Sequence, residues 1–202
     1  MHKIWLALAA LCLTALVASG ATAGTVALAP DDHVLGMPDA PITIVEYASL
    51  TCPHCAEFDR DTLPKIKEKW IDTGKAKLVF RDFPLDGLAL RAAMLARCAP
   101  PDRYFGYIDV LFHSQNNWAR ADDPILALSR IARLGGMSDQ QFQACMSNEE
   151  LQRSVAASRQ TAEKDYGVES TPTFFLNGTM MKPGALPFND FDQALTAAQP
   201  KS

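Results

Sequence analysis

The stretch ITIVEYASLTCPHCAEF, residues 42–58, sets the terms for the whole chain. Its first part, ITIVEY (42–47), is β-branched and apolar over the length of a strand. Two cysteines follow at once, Cys52 and Cys55, with Pro53 and His54 between them. The run CAEFDRDTLPKIKEKW then places Phe58, Leu63, Ile66 and Trp70 on one helical face, with charges opposite. Pro64 is expected to kink that helix, because it removes a backbone donor and crowds the preceding turn. The DTG at 72–74 closes it, and KAKLVFRDF (75–83) reads as a second strand. The cysteines therefore sit at the strand-to-helix junction of a β-α-β unit.

Upstream, TVALAPDDHVLGMPDAP (25–41) is turn-rich and reads as an exposed lead-in. Downstream, residues 87–166 read as helices. LALRAAMLARCA is rich in strong helix formers and stops at Pro100-Pro101. Asp123 is a cap candidate with Pro124 at the first helical position, Ser138 and Gln141 suit a capping box, and Gly167 ends the last helix of the block. STPTFFLNGTMM then reads as a hairpin turning at Asn177-Gly178. Phe188, Phe191 and Leu195 mark a final amphipathic helix.

The first 23 residues read as a secretory signal: His2 and Lys3, an apolar run, then ATA before Gly24. Without them, 202 minus 23 leaves 179 residues, enough for one domain with an insertion. Removing Lys3 leaves 18 Lys and Arg against 23 Asp and Glu, a net charge of −5. Without a basic block, nucleic acid is not an expected partner. Cys12 leaves with the signal, so Cys52, Cys55, Cys98 and Cys145 remain. An even count suits an oxidising compartment, and four cysteines allow three pairings.

A Cys-Pro-His-Cys segment has four conceivable uses. A haem tether needs histidine after the second cysteine, and Ala56 stands there. A structural zinc site needs a second close pair of ligands, whereas Cys98, Cys145, His33 and His113 are scattered. A static staple across two residues removes little chain entropy. A redox centre fits, because a cysteine at a helix start meets unpaired N–H groups and the positive end of the dipole. Both favour thiolate over thiol. Cys52 is in that position, Cys55 lies one turn further in, and a cationic His54 would add positive charge.

VEYASLTCPHC (45–55), FRDFPL (80–85), a helical block and VESTPTFFLNG (168–178), behind a signal peptide, together resemble the DsbA-like branch of the thioredoxin superfamily. The likeness runs from about residue 40 to the end. It implies an α/β thioredoxin-like fold built from 24–86 and 167–202, with 87–166 as a helical insertion. It implies a thiol:disulfide oxidase of the periplasm whose redox-active disulfide is Cys52–Cys55, with no cofactor and no metal. His54 tunes the pair, and Pro172, expected to be cis, faces it. Thr171 and Pro172 hold the substrate backbone, and Glu46 shuttles the proton of the inner cysteine. Cys98 and Cys145 are expected to form a structural bridge. The implied partners are exported, partly folded proteins with free thiols and a DsbB-like membrane reoxidase.

A size follows from the family. If the Cys52 pKa fell from ~8.5 to ~3.5, the value of the family's namesake, the part below pH 7 would favour the dithiol by roughly 5 kcal/mol, near 100 mV. The rivals are a disulfide isomerase or reductase, and a copper- or zinc-tolerance protein using the thiols with His54 or Met180 and Met181.

Overall fold

The β-branched run is the strand around which the sheet is assembled. In the computed structural model, which describes residues 25–200, it is β2 (Ile42–Ala48). The expected signal segment, 1–23, lies outside the described residues. Parallel β3 (Ala76–Asp82) pairs with one edge of β2, and antiparallel β4 (Thr173–Leu176) with the other. β1 (His33–Leu35) and β5 (Thr179–Met180) complete a five-stranded sheet in the order β1-β3-β2-β4-β5. With both edges paired and both faces covered, β2 is buried along nearly its whole length.

Period-two alternation assigns the faces. Ile42 and Ile44 join Leu78 and Phe174 beneath Phe58 of α1 (Pro53–Asp61) and Phe191 of α9 (Phe188–Ala197). The rings of Phe58 and Phe174 are 4.5 Å apart, those of Phe174 and Phe191 4.8 Å. Val45 and Tyr47 face the other way, with Val79 and Phe175, against Ala162 of α8 (Glu149–Tyr166). The same alternation puts Glu46 on the α1 side, in register with Phe80 and Phe174.

Between β3 and β4 the chain is helical: α3 (Gly87–Arg97), α4 (Tyr104–His113), α5 (Gln115–Ala119), α6 (Pro124–Leu134), α7 (Asp139–Met146) and α8. Asp123 caps α6 through Leu126 N–H, and Ser138 with Gln141 forms a capping box on α7. Gly167 ends α8 at φ 69°, a left-handed conformation glycine adopts freely. Cys98, after α3, is bonded to Cys145 of α7.

Two local features differ from the sequence reading. The lead-in contains β1, whose three residues are too few to show alternation, and which pairs antiparallel with β3. The first helix does not kink at Pro64 but stops at Asp61. It resumes as α2 (Leu63–Ile66), because Pro64 has no N–H for the carbonyl four residues back; a π-helical turn, Lys67–Ile71, follows. Within the helical block a further break at Ser114 separates α4 from α5.

The insertion is anchored to the sheet by an ion pair between Arg97 of α3 and Asp82, at the end of β3. Asp82 is buried, so losing its partner strands a charge. Arg97→Leu is expected to lower unfolding stability by about 3–5 kcal/mol in urea titration. A loss below about 1 kcal/mol would mean that Asp82 is satisfied otherwise.

Candidate active site

Cys52 is the N-cap of α1, and Pro53 fills the first helical position. No side chain caps this helix end. Its free N–H groups face the sulfur instead: those of Cys55 and His54 help to lower the Cys52 pKa. The Cys52 thiol is lowered to about 5, first by a hydrogen bond from the Cys55 thiol, with Thr171 and the two N–H groups adding to it, against burial that pushes the other way. Both cysteines are free. Cys52 is 5 % exposed and Cys55 0 %. Burial holds the Cys55 thiol well above its ordinary value, and the charges of Cys52 and Glu46 add to the effect.

Thr171 lies against the sulfur from across the sheet. Its carbonyl oxygen accepts a hydrogen bond from the Cys52 thiol at 3.4 Å, while its side chain contributes to lowering the Cys52 pKa. The Thr171–Pro172 peptide bond is cis. Glu46 is 2 % exposed, and its Oε1 has no hydrogen-bond partner. Burial raises its carboxyl well above the usual range, with the charges of Asp59 and Cys52 contributing. The geometry thus sets a readily ionised outer sulfur beside a reluctant inner thiol, with a carboxylic acid behind them.

His54 is placed differently from the other site candidates. Its side chain is 72 % exposed and pairs with Glu57 at 3.2 Å. Its N–H, not its imidazole, acts on Cys52. Cys98 and Cys145 lie in the insertion, lining a separate cavity of about 500 Å³. Met180 packs with Tyr47 and Phe175 on one face of the sheet, while Met181 packs with the cluster under α1 on the other. The methionines therefore do not converge on the cysteine pair.

Two residues escaped the sequence reading. Gln115 of α5 is buried and donates to the carbonyls of Leu50 and Cys52, at 2.9 and 3.0 Å, fixing the active-site loop to the insertion. Nothing local in its sequence announces this. Asp59 is 5 % exposed, and burial lifts its carboxyl to about 7, with Asp109 adding and His113 opposing. With Glu46 it lines a cavity of about 250 Å³ between β2, α1 and α4. Its signal was visible: Asp59 is one turn beyond Cys55, on the apolar face of α1.

The thioredoxin family model matches residues 28–197. Wolbachia pipientis alpha-DsbA1, a solved structure, is 35 % identical, with a TM-score of 0.77 over 85 % of this chain and 92 % of that one. The chain belongs to the DsbA-like branch of the thioredoxin superfamily. A Rickettsia bellii protein named as a protein-disulfide oxidoreductase is 34 % identical over 149 residues, 73 % of this chain and 58 % of the relative. This DsbA-like chain thus spans little more than half the length of that curated relative. A structure titled as a protein-disulfide isomerase, from Novosphingobium aromaticivorans, is 26 % identical, with a TM-score of 0.72 over 89 % of this chain and all of that one.

The energetic consequence of the Cys52 environment is bounded. A depressed folded-state pKa favours the reduced fold fully above the unfolded value and ceases to do so as pH falls through about 5. At pH 7 only the interval of about two units counts, at most about 3 kcal/mol or about 60 mV. That is smaller than the family's value suggested. Ultraviolet titration of the reduced DsbA-like chain is expected to show one thiolate with a midpoint about 5. In Cys55→Ala the midpoint should rise, since the largest favourable contact is gone. An unchanged midpoint would assign the effect to the helix N–H groups alone.

Proposed function

We propose that the chain is a thiol:disulfide oxidase acting outside the cytoplasm, in a periplasmic compartment, on exported proteins that still carry free thiols. The observation that carries this reading is the Cys52 sulfur at the uncapped first turn of α1, its pKa lowered to about 5, beside a buried Cys55 thiol whose pKa is raised. Stabilising the thiolate favours the dithiol over the disulfide, so the oxidised pair gives its bond away readily. The apolar N-terminal run and the Cys98–Cys145 bridge support an oxidising location.

In the proposed cycle the resting form is the Cys52–Cys55 disulfide. A substrate thiolate attacks Cys52 Sγ; a mixed disulfide forms, and Cys55 leaves with the electron pair. Cys55 is fully buried and holds its proton tightly, so it is protonated as it leaves, and Glu46, a buried acid with a raised pKa, supplies that proton. A second substrate thiolate then attacks the substrate sulfur, releasing Cys52 as the stabilised thiolate. Two electrons have passed from two substrate thiols to the cysteine pair. Thr171 and Pro172 hold the extended substrate beside Cys52. A DsbB-like membrane partner reoxidises the pair, which needs no other cofactor.

Cys55→Ser is expected to accumulate substrates cross-linked at Cys52 in the exporting cell, visible as reducible adducts on non-reducing gels. No adducts would count against the oxidase. The reduction potential against glutathione should lie above about −180 mV; a value near −270 mV would mark a reductant. An isomerase is the second reading. It draws on the Cys52 value of about 5, milder than the ~3.5 of the family's namesake, and an intermediate potential would favour it. Glu46→Gln is expected to slow substrate oxidation and change its pH profile between about pH 5 and 8. Unchanged kinetics over that range would remove Glu46 from the cycle.

A further inference from the structure

Away from the sulfur centre, three ligating side chains converge between α1 and α4. Asp59, Asp109 and His113 each bring one donor atom to within 4.8 Å of the others. Helix geometry explains the meeting: Asp109 and His113 are four residues apart and share a face of α4, and α4 packs on α1. Asp109 and His113 are already opposed, with Nδ1 3.4 Å from Oδ1. Asp59 is the unusual member. It is 95 % buried, taking 5 % exposure from the whole, and its Oδ2 has no hydrogen-bond partner. A buried carboxylate without a partner is costly unless it is neutralised or bound to a cation. The nearby ammonium of Lys67 does not serve: it lies 3.4 Å from Asp72 instead.

We propose that Asp59, Asp109 and His113 form a site for a divalent cation of the zinc class, joining the active-site helix to the helical insertion. The donor set suits such an ion: one imidazole nitrogen and two carboxylates, whose charges balance it. Tetrahedral bonds of about 2.0–2.2 Å set two donors about 3.3–3.6 Å apart. The observed 4.8 Å limit therefore needs a closure of up to about 1.5 Å, within reach of side-chain rotation at the two exposed positions on α4. Three protein ligands leave a coordination position to water. The site contains no cysteine, but Asp59 shares a cavity with Glu46, so a bound cation would also act on that acid.

Zinc binds dithiols, so the test uses the full chain with Cys52 and Cys55 oxidised to their disulfide. Calorimetric titration with Zn²⁺ alone is expected to show a single ion per chain. Co²⁺ in its place should give visible d–d absorption without a sulfur charge-transfer band. His113→Ala and Asp109→Asn change exposed side chains, and each is expected to weaken binding more than about tenfold. Asp59→Asn should do the same. Absence of stoichiometric uptake by the oxidised chain would overturn the site. So would uptake unchanged in both His113→Ala and Asp109→Asn, which would assign the ion to other surface groups.

Discussion

A sulfur anion held at the open end of a helix is the constraint on which the rest of this molecule is arranged. The first turn of any helix has N–H groups with no partner inside the helix. Here no side chain caps them, and those of His54 and Cys55 help to lower the Cys52 pKa. Pro53 contributes by what it lacks, since its position needs no hydrogen bond and its φ suits the first turn. The Cys55 thiol makes the largest favourable contact with that sulfur, and the fixed dipoles of these N–H groups add to it. Unlike the thiol, a peptide N–H does not titrate.

The surroundings keep those dipoles in place. The loop entering α1 is fastened from the insertion by Gln115, whose amide spans the carbonyls of Leu50 and Cys52. The insertion is itself held to the sheet by Arg97 and Asp82, and tied internally by Cys98–Cys145. On the sheet side, β4 brings Thr171 to the sulfur because it pairs with β2, the strand that leads to the cysteines. Packing, hydrogen bonding and redox chemistry are thus coupled through one short segment. The buried acids follow a different logic. Glu46 and Asp59 are set in an apolar layer where charge is disfavoured, so each is disposed to hold a proton or meet a cation.

Much of the architecture was legible because the signals were local. The β-branched run ITIVEY defined the central strand, and the Asn177-Gly178 turn defined the hairpin, with φ of 49° and 82°. Caps at Asp123, Ser138 and Gly167 fell where side-chain chemistry placed them. β1 was not legible, since three residues carry no period and the strand exists only by pairing with β3. The helix breaks at Thr62 where a bend is expected, because a proline in a helix permits either outcome and packing decides between them.

The sequence by itself determined that a cysteine would stand at a strand-to-helix junction, with a second cysteine one turn on and an acid on the strand behind. Those are consequences of spacing, and spacing survives any packing of the chain. Tertiary structure alone decided which groups face the sulfur. His54 adjoins Cys52 in the chain, yet its ring turns out toward Glu57, while Thr171, 119 residues away, reaches the sulfur across the sheet. The physical reason is that the charge on a buried sulfur is set by the dipoles packed within a few ångströms of it, and sequence distance does not specify which those are.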